Sequence, residues 1–255
     1  MWHGDYLYLL QNLVMKDFRI RYRNMSLGVL WSLLNPLIMM GVMSFVWVII
    51  FKSDKPHFAV FVLCGLVPFN FFTIGWSGGT TSIVENAGLI KRLPVPREVV
   101  PISTVISCCI HLLVQLLLLL VWAIGSGVGM NRYWLWLPVV WALEVVFVSG
   151  ISLITSSTNV FIRDTRYIVE SINLVMLWLI PVFYDFKEIP QKYSDIYQIN
   201  PLATLVIVLR RIIYEGQSPN GTSYTMLKLT AASFTVFFIG LYFFRRLKPM
   251  FYEHI

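Results

Sequence analysis

Charge is what this chain has least of. Asp, Glu, Lys and Arg make up 13% of its 255 residues, about half the share with which a soluble domain covers its surface. Cysteine is almost missing: Cys64, Cys108 and Cys109 all lie in apolar runs without a histidine at metal-ligand spacing. They support no disulfide framework and read as small core residues. No Gly-Lys-Ser/Thr phosphate loop and no His-Glu-x-x-His pair occurs, so neither of those signatures for nucleotide or metal chemistry is present. Ser107 and His111 stand one helical turn apart, but nothing around them activates a nucleophile. No catalytic, cofactor or metal site is expected. Low-complexity tracts and repeats of 20–50 residues are absent as well.

Hydrophobic residues are what is abundant, at 57% of the chain with a mean hydropathy of +0.71. Disorder is excluded by that figure, and so is a soluble domain. A spanning helix needs about 20 largely apolar residues. Six stretches qualify: 27–51, 59–80, 99–124, 134–158, 168–184 and 225–244, the fifth being near the lower limit. The first is about twice as long as a signal-peptide core, so no cleavable signal is expected. Segment 185–224 is too polar to cross as a whole. Its one apolar run, Leu202–Ile213, is twelve residues long and reads as re-entrant or interfacial. The expected fold is therefore an all-α integral membrane protein of six transmembrane helices, a single domain over 1–255. An amphipathic interface helix occupies 1–26, and extracytoplasmic re-entrant helices lie between spans five and six.

The formal charge of +7 would suggest nucleic acid in a soluble protein. Here it marks a side of the membrane instead. Twelve of the 20 basic residues fall in short segments on the side of the termini: Lys16, Arg19, Arg21, Arg23, Lys91, Arg92, Arg97, Arg163, Arg166, Arg245, Arg246 and Lys248. The short loops opposite carry only Lys52, Lys55 and Arg132, with Lys228 at the start of the last span. Both termini are thus expected in the cytoplasm.

Within 6–23, Asn12, Lys16, Arg19 and Arg23 share one helical face and Tyr6, Leu10, Leu13, Val14 and Phe18 the other. Asp17 and Arg21 interrupt the apolar face at a spacing that lets them pair. Such a helix lies in the interface with its basic stripe toward lipid phosphates. It serves either as a plain anchor or as an element that passes motion into the first span. Between spans two and three, Ser82 and Glu85 have capping-box spacing, and Pro94 and Pro96 prevent a helix from continuing. A short helix over 83–92 is expected, with Leu89, Ile90, Lys91 and Arg92 forming an apolar and basic tip. A connector helix and a docking element are equally compatible with it.

Trp134, Trp136 and Trp141 fit an interfacial belt. Trp31, Phe45, Trp47, Phe69, Phe71, Phe72, Trp76, Trp178, Phe183 and Tyr184 are spread through spans one, two and five. They suit either helix packing and lipid contact or the flat faces of sugar rings. Polar groups inside spans are expensive and often functional. His111, Gln115 and Glu144 are isolated, which favours interhelical hydrogen bonds, or a protonated Glu144, over a proton relay. Arg210 and Arg211 end the short apolar run, placed either to snorkel to headgroups or to meet an anionic substrate linker. Asn220-Gly-Thr matches a glycosylation sequon by pattern only.

Several runs together resemble the ABC-2-type permeases that export polysaccharides. Arg21-Tyr22, Ser26-Leu27-Gly28, Trp31 and Pro36-Leu37 resemble the entry to that family's first span. Asn86-Ala-Gly-Leu-Ile-Lys-Arg-Leu-Pro-Val-Pro-Arg-Glu is similar to its coupling region, Asn159-Val-Phe-Ile-Arg-Asp to its second cytoplasmic loop, and Asn200-Pro-Leu to its extracytoplasmic segment. The resemblance implies a permease of the O-antigen, teichoic-acid or capsule group in a bacterial plasma (inner) membrane. It implies a homodimer working with two copies of a separate ATPase, which would hold the ATP and Mg. The cargo would be a lipid-linked polysaccharide. Glu85, Asn86, Leu89, Ile90, Lys91 and Arg92 would dock on the ATPase, and Lys16, Arg19, Arg21, Tyr22 and Arg23 would form a cytoplasmic gate. The aromatic set would line the channel, with Arg210 and Arg211 in an extracytoplasmic gate. An ABC-2 drug or lipid exporter and a membrane enzyme of glycolipid assembly are the alternatives.

Overall fold

A computed structural model describes residues 6–23, 28–92, 96–190, 192–193, 197, 200–219 and 224–254, with the backbone alone at 29, 187, 252 and 253. Ser26, Leu27, Pro94 and the Asn220 sequon lie outside the described residues. Among those described, all regular structure is helical. Helix α1 (Tyr6–Tyr22) precedes α2 (Trp31–Ser44), which runs on as a π-helical stretch, Phe45–Ile50. Next come α3 (Phe58–Glu85), α4 (Ala87–Arg92), α5 (Val99–Ser107), α6 (Cys109–Gly125) and α7 (Leu137–Phe161). The chain continues with α8 (Thr165–Leu179), α9 (Pro201–Ile213), α10 (Thr225–Leu247) and a last turn, α11 (Phe251–His254).

Among the described residues, five helices are long and apolar enough to cross a membrane: Trp31–Ile50, Phe58–Glu85, Val99–Gly125, Arg132–Phe161 and Thr225–Met250. They coincide with five of the six expected spans. The expected span at 168–184 is not among them, because α8 stops at Leu179 after 15 residues. The reason is Pro181, which drives the residue before it out of the helical region. Ile180 is accordingly extended, at φ −86° and ψ 142°. The chain beyond stays inside the protein, with Ile180, Val182 and Phe183 all buried.

Helix α3 is the hub and packs on α2, α5, α6, α7, α8 and α9. Close helix approach in a membrane relies on small residues rather than on water expelling apolar surface. At the α7–α10 crossing a Cβ on Gly240 would lie 2.2 Å from the Gly150 carbonyl oxygen, so the two backbones touch. On α3, Gly79 makes room for the Ser152 side chain of α7, whose Oγ lies where a Cβ would stand. Helix α2 is the opposite case: only Pro36 and Met40 are buried.

The helix expected at 83–92 begins later. Helix α3 continues without a break to Glu85, and the Ser82 hydroxyl donates to the Gly79 carbonyl (2.7 Å) instead of capping a new helix. The capping-box reading fails because Ser82 still sits inside the helix, where its hydroxyl can bond back to the preceding turn. The break is at Asn86, whose side-chain amide donates to the Ser82 carbonyl at 2.8 Å and whose own carbonyl receives the N–H groups of Leu89 and Ile90.

Candidate functional site

The end of the bundle that carries α4 is built around a second, smaller hydrophobic cluster. Leu13, Ile83, Ile90, Val100, Leu153, Val160, Phe244 and Phe251 meet there, drawn from α1, α3, α4, α5, α7, α10 and α11. Ile90 is therefore not part of an exposed tip, and half-buried Leu89 packs against the same cluster. What α4 offers outward is Gly88, Lys91 and Arg92, beside Glu85 at the end of α3, a charged rather than apolar surface. The inward turn of Ile90 has a simple cause: a six-residue helix cannot hold its place without burying its one large aliphatic side.

Helix α1 lies against this end through Leu13 and Leu9 and through the polar side chains beside them. The Lys16 ammonium donates to the Asn86 side-chain oxygen, at the residue that separates α3 from α4. Asp17 accepts from the Thr104 hydroxyl (3.0 Å) and lies 3.4 Å from Lys16. The Tyr22 hydroxyl reaches the His111 ring at 2.7 Å, and Arg21 approaches that ring at 3.4 Å. Burial pushes the Tyr22 phenol up from its ordinary value, against the opposing charge of Arg21. Asp17 and Arg21 thus turn to separate partners and not to each other. Of the expected basic stripe, Asn12, Arg19 and Arg23 are exposed and Lys16 is partly buried, as is Arg21 on the other face.

Two crevices flank the last turns of α3 and share Thr81 and Glu85. One, of about 470 Å³, is bordered by Lys16, Asp17, Arg21, Gly78, Asn86 and Thr104. The other, of about 260 Å³, is bordered by Val84, Asn159, Arg163, Arg166 and Tyr167. A clamp closes the far side of the cluster: Arg97, itself buried, donates to the Lys248 carbonyl at 2.7 Å, and Glu98 accepts from Lys248 Nζ at 2.8 Å. Burial alone would raise the Glu98 carboxyl. The hydrogen bond from Lys248, the Glu98 backbone and the charges of Lys248 and Arg245 outweigh it and hold the group below the usual carboxylate range. Sequence reasoning missed this clamp, because Glu98 and Lys248 stand 150 residues apart and no local pattern joins them.

At the other end the two arginines divide. Arg210 is 5% exposed and reaches no lipid headgroup. Its guanidinium donates to the carbonyls of Phe61 (3.3 Å), Val182 (2.5 Å) and Tyr184 (2.9 Å) and lies 3.5 Å from the centre of the Phe61 ring. Those carbonyls include two that the break after Leu179 takes out of helical bonding. The fork of donors on one side chain replaces them. Arg211 reaches Gln217 at 3.5 Å and borders, with Arg210, Asp185 and Glu215, a cavity of about 180 Å³.

The aromatic set divides too. Phe69, Phe71, Phe72, Trp76 and Phe183 are buried among the protein's own helices, Phe72 being stacked on Phe147 and the Trp76 indole N–H bonded to Thr155 at 3.2 Å. Sugar rings moving along the surface of this chain do not touch them. Trp31, Phe45 and Trp178 are exposed, and Trp47 and Tyr184 are half-buried. Among the isolated polar groups, His111 and Gln115 make the expected interhelical bonds, Gln115 to the Ser32 carbonyl at 2.9 Å. Glu144 does not: it is wholly buried on α7 and neither carboxyl oxygen has a partner among the described residues.

Long apolar helices, backbone-close crossings and a charged helical knuckle at one end define a multi-pass membrane protein. Residues 8–214 match the family model for the ABC-2 type transporter, and the chain belongs to that family. It is 32% identical over 239 residues to an O-antigen export system permease protein, RfbA, of Klebsiella pneumoniae, covering 93% of this chain and 91% of that protein. With the RfbA of Myxococcus xanthus the identity is 28% over 255 residues (98% and 96%). With the polysialic acid transport protein KpsM of Escherichia coli it is 27% over 243 residues (91% of each).

Proposed function

We propose that this chain is the permease subunit of an ATP-binding-cassette exporter that moves a lipid-linked polysaccharide out of the cytoplasm. The names of its relatives favour that cargo, and the observation that carries the coupling role is α4. It is a helix pinned from behind by Ile90, articulated at Asn86 and presenting Lys91 and Arg92 outward, next to Glu85 at the end of α3. That design suits a rigid knuckle seated in a groove of a separate ATPase, which supplies ATP and Mg. Two such permeases, with two ATPase subunits, would enclose the glycan path in the inner membrane. The basic residues put the α4 end and both termini in the cytoplasm.

In this arrangement α1 is the interface helix and a gate element, tied to the knuckle through Lys16. The fifth crossing is composite. Helix α8 supplies about 22 Å of a hydrocarbon core of about 30 Å, and the buried, bent residues after it, 180–183, supply the rest. Helix α9, at 13 residues, is re-entrant from the outer side. Trp31, Phe45 and Trp178 remain as the exposed aromatics available to glycan.

Co-expression of this chain with the ATPase of its own export system, with purification through a tag on one of them, tests the reading. The pair should co-purify, and Lys91→Glu with Arg92→Glu should abolish the association and surface glycan. Arg132→Glu, exposed at the opposite end, should leave both intact. Association that survives the double reversal would remove α4 from the coupling role.

A further inference from the structure

Helix α3 is enclosed along its first half: every residue from Val60 to Phe69 is buried. From there to the α4 end one face opens. Asn70, Thr73, Ile74, Ser77, Gly78, Thr81 and Val84 are partly exposed and Glu85 fully so, while all their neighbours on the helix over 71–83 are buried. At about 100° per residue these positions fall within an arc of about 140°. The stripe is about 22 Å long. Phe69, Phe72 and Trp76 lie on the other faces.

Polar groups on a spanning helix face protein, water or cargo rather than lipid tails. Beneath this stripe lie buried polar atoms with no partner among the described residues, Asn70 Nδ2 and Thr73 Oγ1. Asn173 of α8 is 6% exposed and points its amide at the stripe, with Nδ2 on Ser77 Oγ at 3.1 Å and Oδ1 unpartnered. The stripe is also continuous with the two crevices at the α4 end, which share Thr81. Amide and hydroxyl groups both donate and accept, as sugar hydroxyls do. A second copy of this chain has a more suitable surface in the bare apolar face of α2, where Leu34, Ile38, Val42, Phe45 and Ile49 are exposed.

We propose that the stripe Asn70–Thr73–Ser77–Thr81, with Asn173 beside it, is the glycan-contacting track of this permease. It holds the polymer by exchangeable hydrogen bonds to sugar hydroxyls rather than by aromatic stacking. The track rests on the export reading and specifies the residues on which that reading depends. Weak, repeated and mutually similar contacts are what a moving polymer needs, since no single position binds tightly enough to stop it.

The test uses the full permease–ATPase complex in membrane vesicles, with Cys64, Cys108 and Cys109 replaced by alanine. Thr73→Cys and Ser77→Cys are treated with methanethiosulfonate ethylsulfonate, a water-soluble anionic reagent. Both should react more than about tenfold faster than Leu117→Cys on the apolar outer face of α6, because thiols facing lipid tails meet no water. Separately, Asn70→Leu with Thr73→Val should slow glycan export about fivefold or more at equal complex yield and ATPase activity, with Thr73→Ser as active as wild type. Labelling no faster than at Leu117→Cys, disulfides between copies through Ser77→Cys, or export unchanged in the double variant would each overturn the track. None of these would touch the export reading, which fails instead if deletion of the chain leaves surface glycan unchanged.

Discussion

The two ends of the bundle are held by different chemistry. At the α4 end, side chains meet side chains across long stretches of sequence: Lys16 with Asn86, Tyr22 with His111, Lys248 with Glu98. At the opposite end side chains mostly meet backbone: the buried Arg210 forks onto three carbonyls, and Asn131 and Tyr214 bond those of Ile212 and Pro56, with Lys55 and Glu188 pairing outside them. The difference comes from what each end must satisfy. Helices at the α4 end finish at or near an aqueous boundary, so their last carbonyls can find water, and the polar pairs only orient the pieces. The chain after Leu179 leaves the helix while still enclosed by protein, where an unpaired carbonyl costs a full desolvation penalty. One end is adjustable and the other is not. A conformational signal entering through α4 meets contacts that are individually weak and exchangeable, whereas the Arg210 fork has no partly made state.

The largest expected effect therefore sits at Arg210. Arg210→Ala strands the Val182 and Tyr184 carbonyls and should cost about 3 kcal/mol or more, seen as loss of the folded permease in a thermal melt in detergent. Arg210→Lys should rescue little, because one ammonium cannot reproduce a planar fork. If Arg210→Lys melts like wild type, the far end is held by charge and not by geometry, and the contrast between the ends disappears. Next comes Gly65, which lets the non-helical segment after Leu179 lie on α3: a Cβ there would stand 3.0 Å from Val182 Cα. Gly65→Val should cost about 1–3 kcal/mol in the same melt, since the obstacle is backbone and cannot swing aside.

Much of this architecture is legible in the residues. Five runs of apolar sequence become five long helices, because a span needs only length and hydropathy. The remaining run does not become one long helix because of one residue in plain view, Pro181, which hydropathy averages over. The expected docking surface failed at Ile90 for a different reason. Its burial depends on Leu13, Leu153, Phe244 and Phe251, contributed by helices distant in sequence, and no local pattern reports them. Arg210 misled because an arginine at the end of an apolar run usually snorkels, and the carbonyls that draw it inward belong to Phe61, Val182 and Tyr184. The polar face of α3 was readable as spacing, yet flanking aromatics drew attention to the faces that turn out to be enclosed.

The smallest effect sharpens the comparison from the α4 end. Glu98 and Lys248 form a part-exposed pair, with side chains 19% and 34% exposed, so Glu98→Gln should cost no more than about 1 kcal/mol at neutral pH. Its signature is in the pH dependence. The Glu98 carboxyl is held below its ordinary value in the folded protein, so the unfolded chain takes up the proton first as pH falls. The stabilisation is complete above the ordinary glutamate value of about 4.3 and is lost as pH falls through the lower folded-state value. The melting temperatures of wild type and Glu98→Gln should thus differ slightly at pH 7 and converge below pH of about 4. The Arg210→Ala deficit should show no such convergence, because its partners are carbonyls that do not titrate. Parallel loss of both differences in acid would mean that the two ends unfold as one unit and that the clamp at α4 is not separately adjustable.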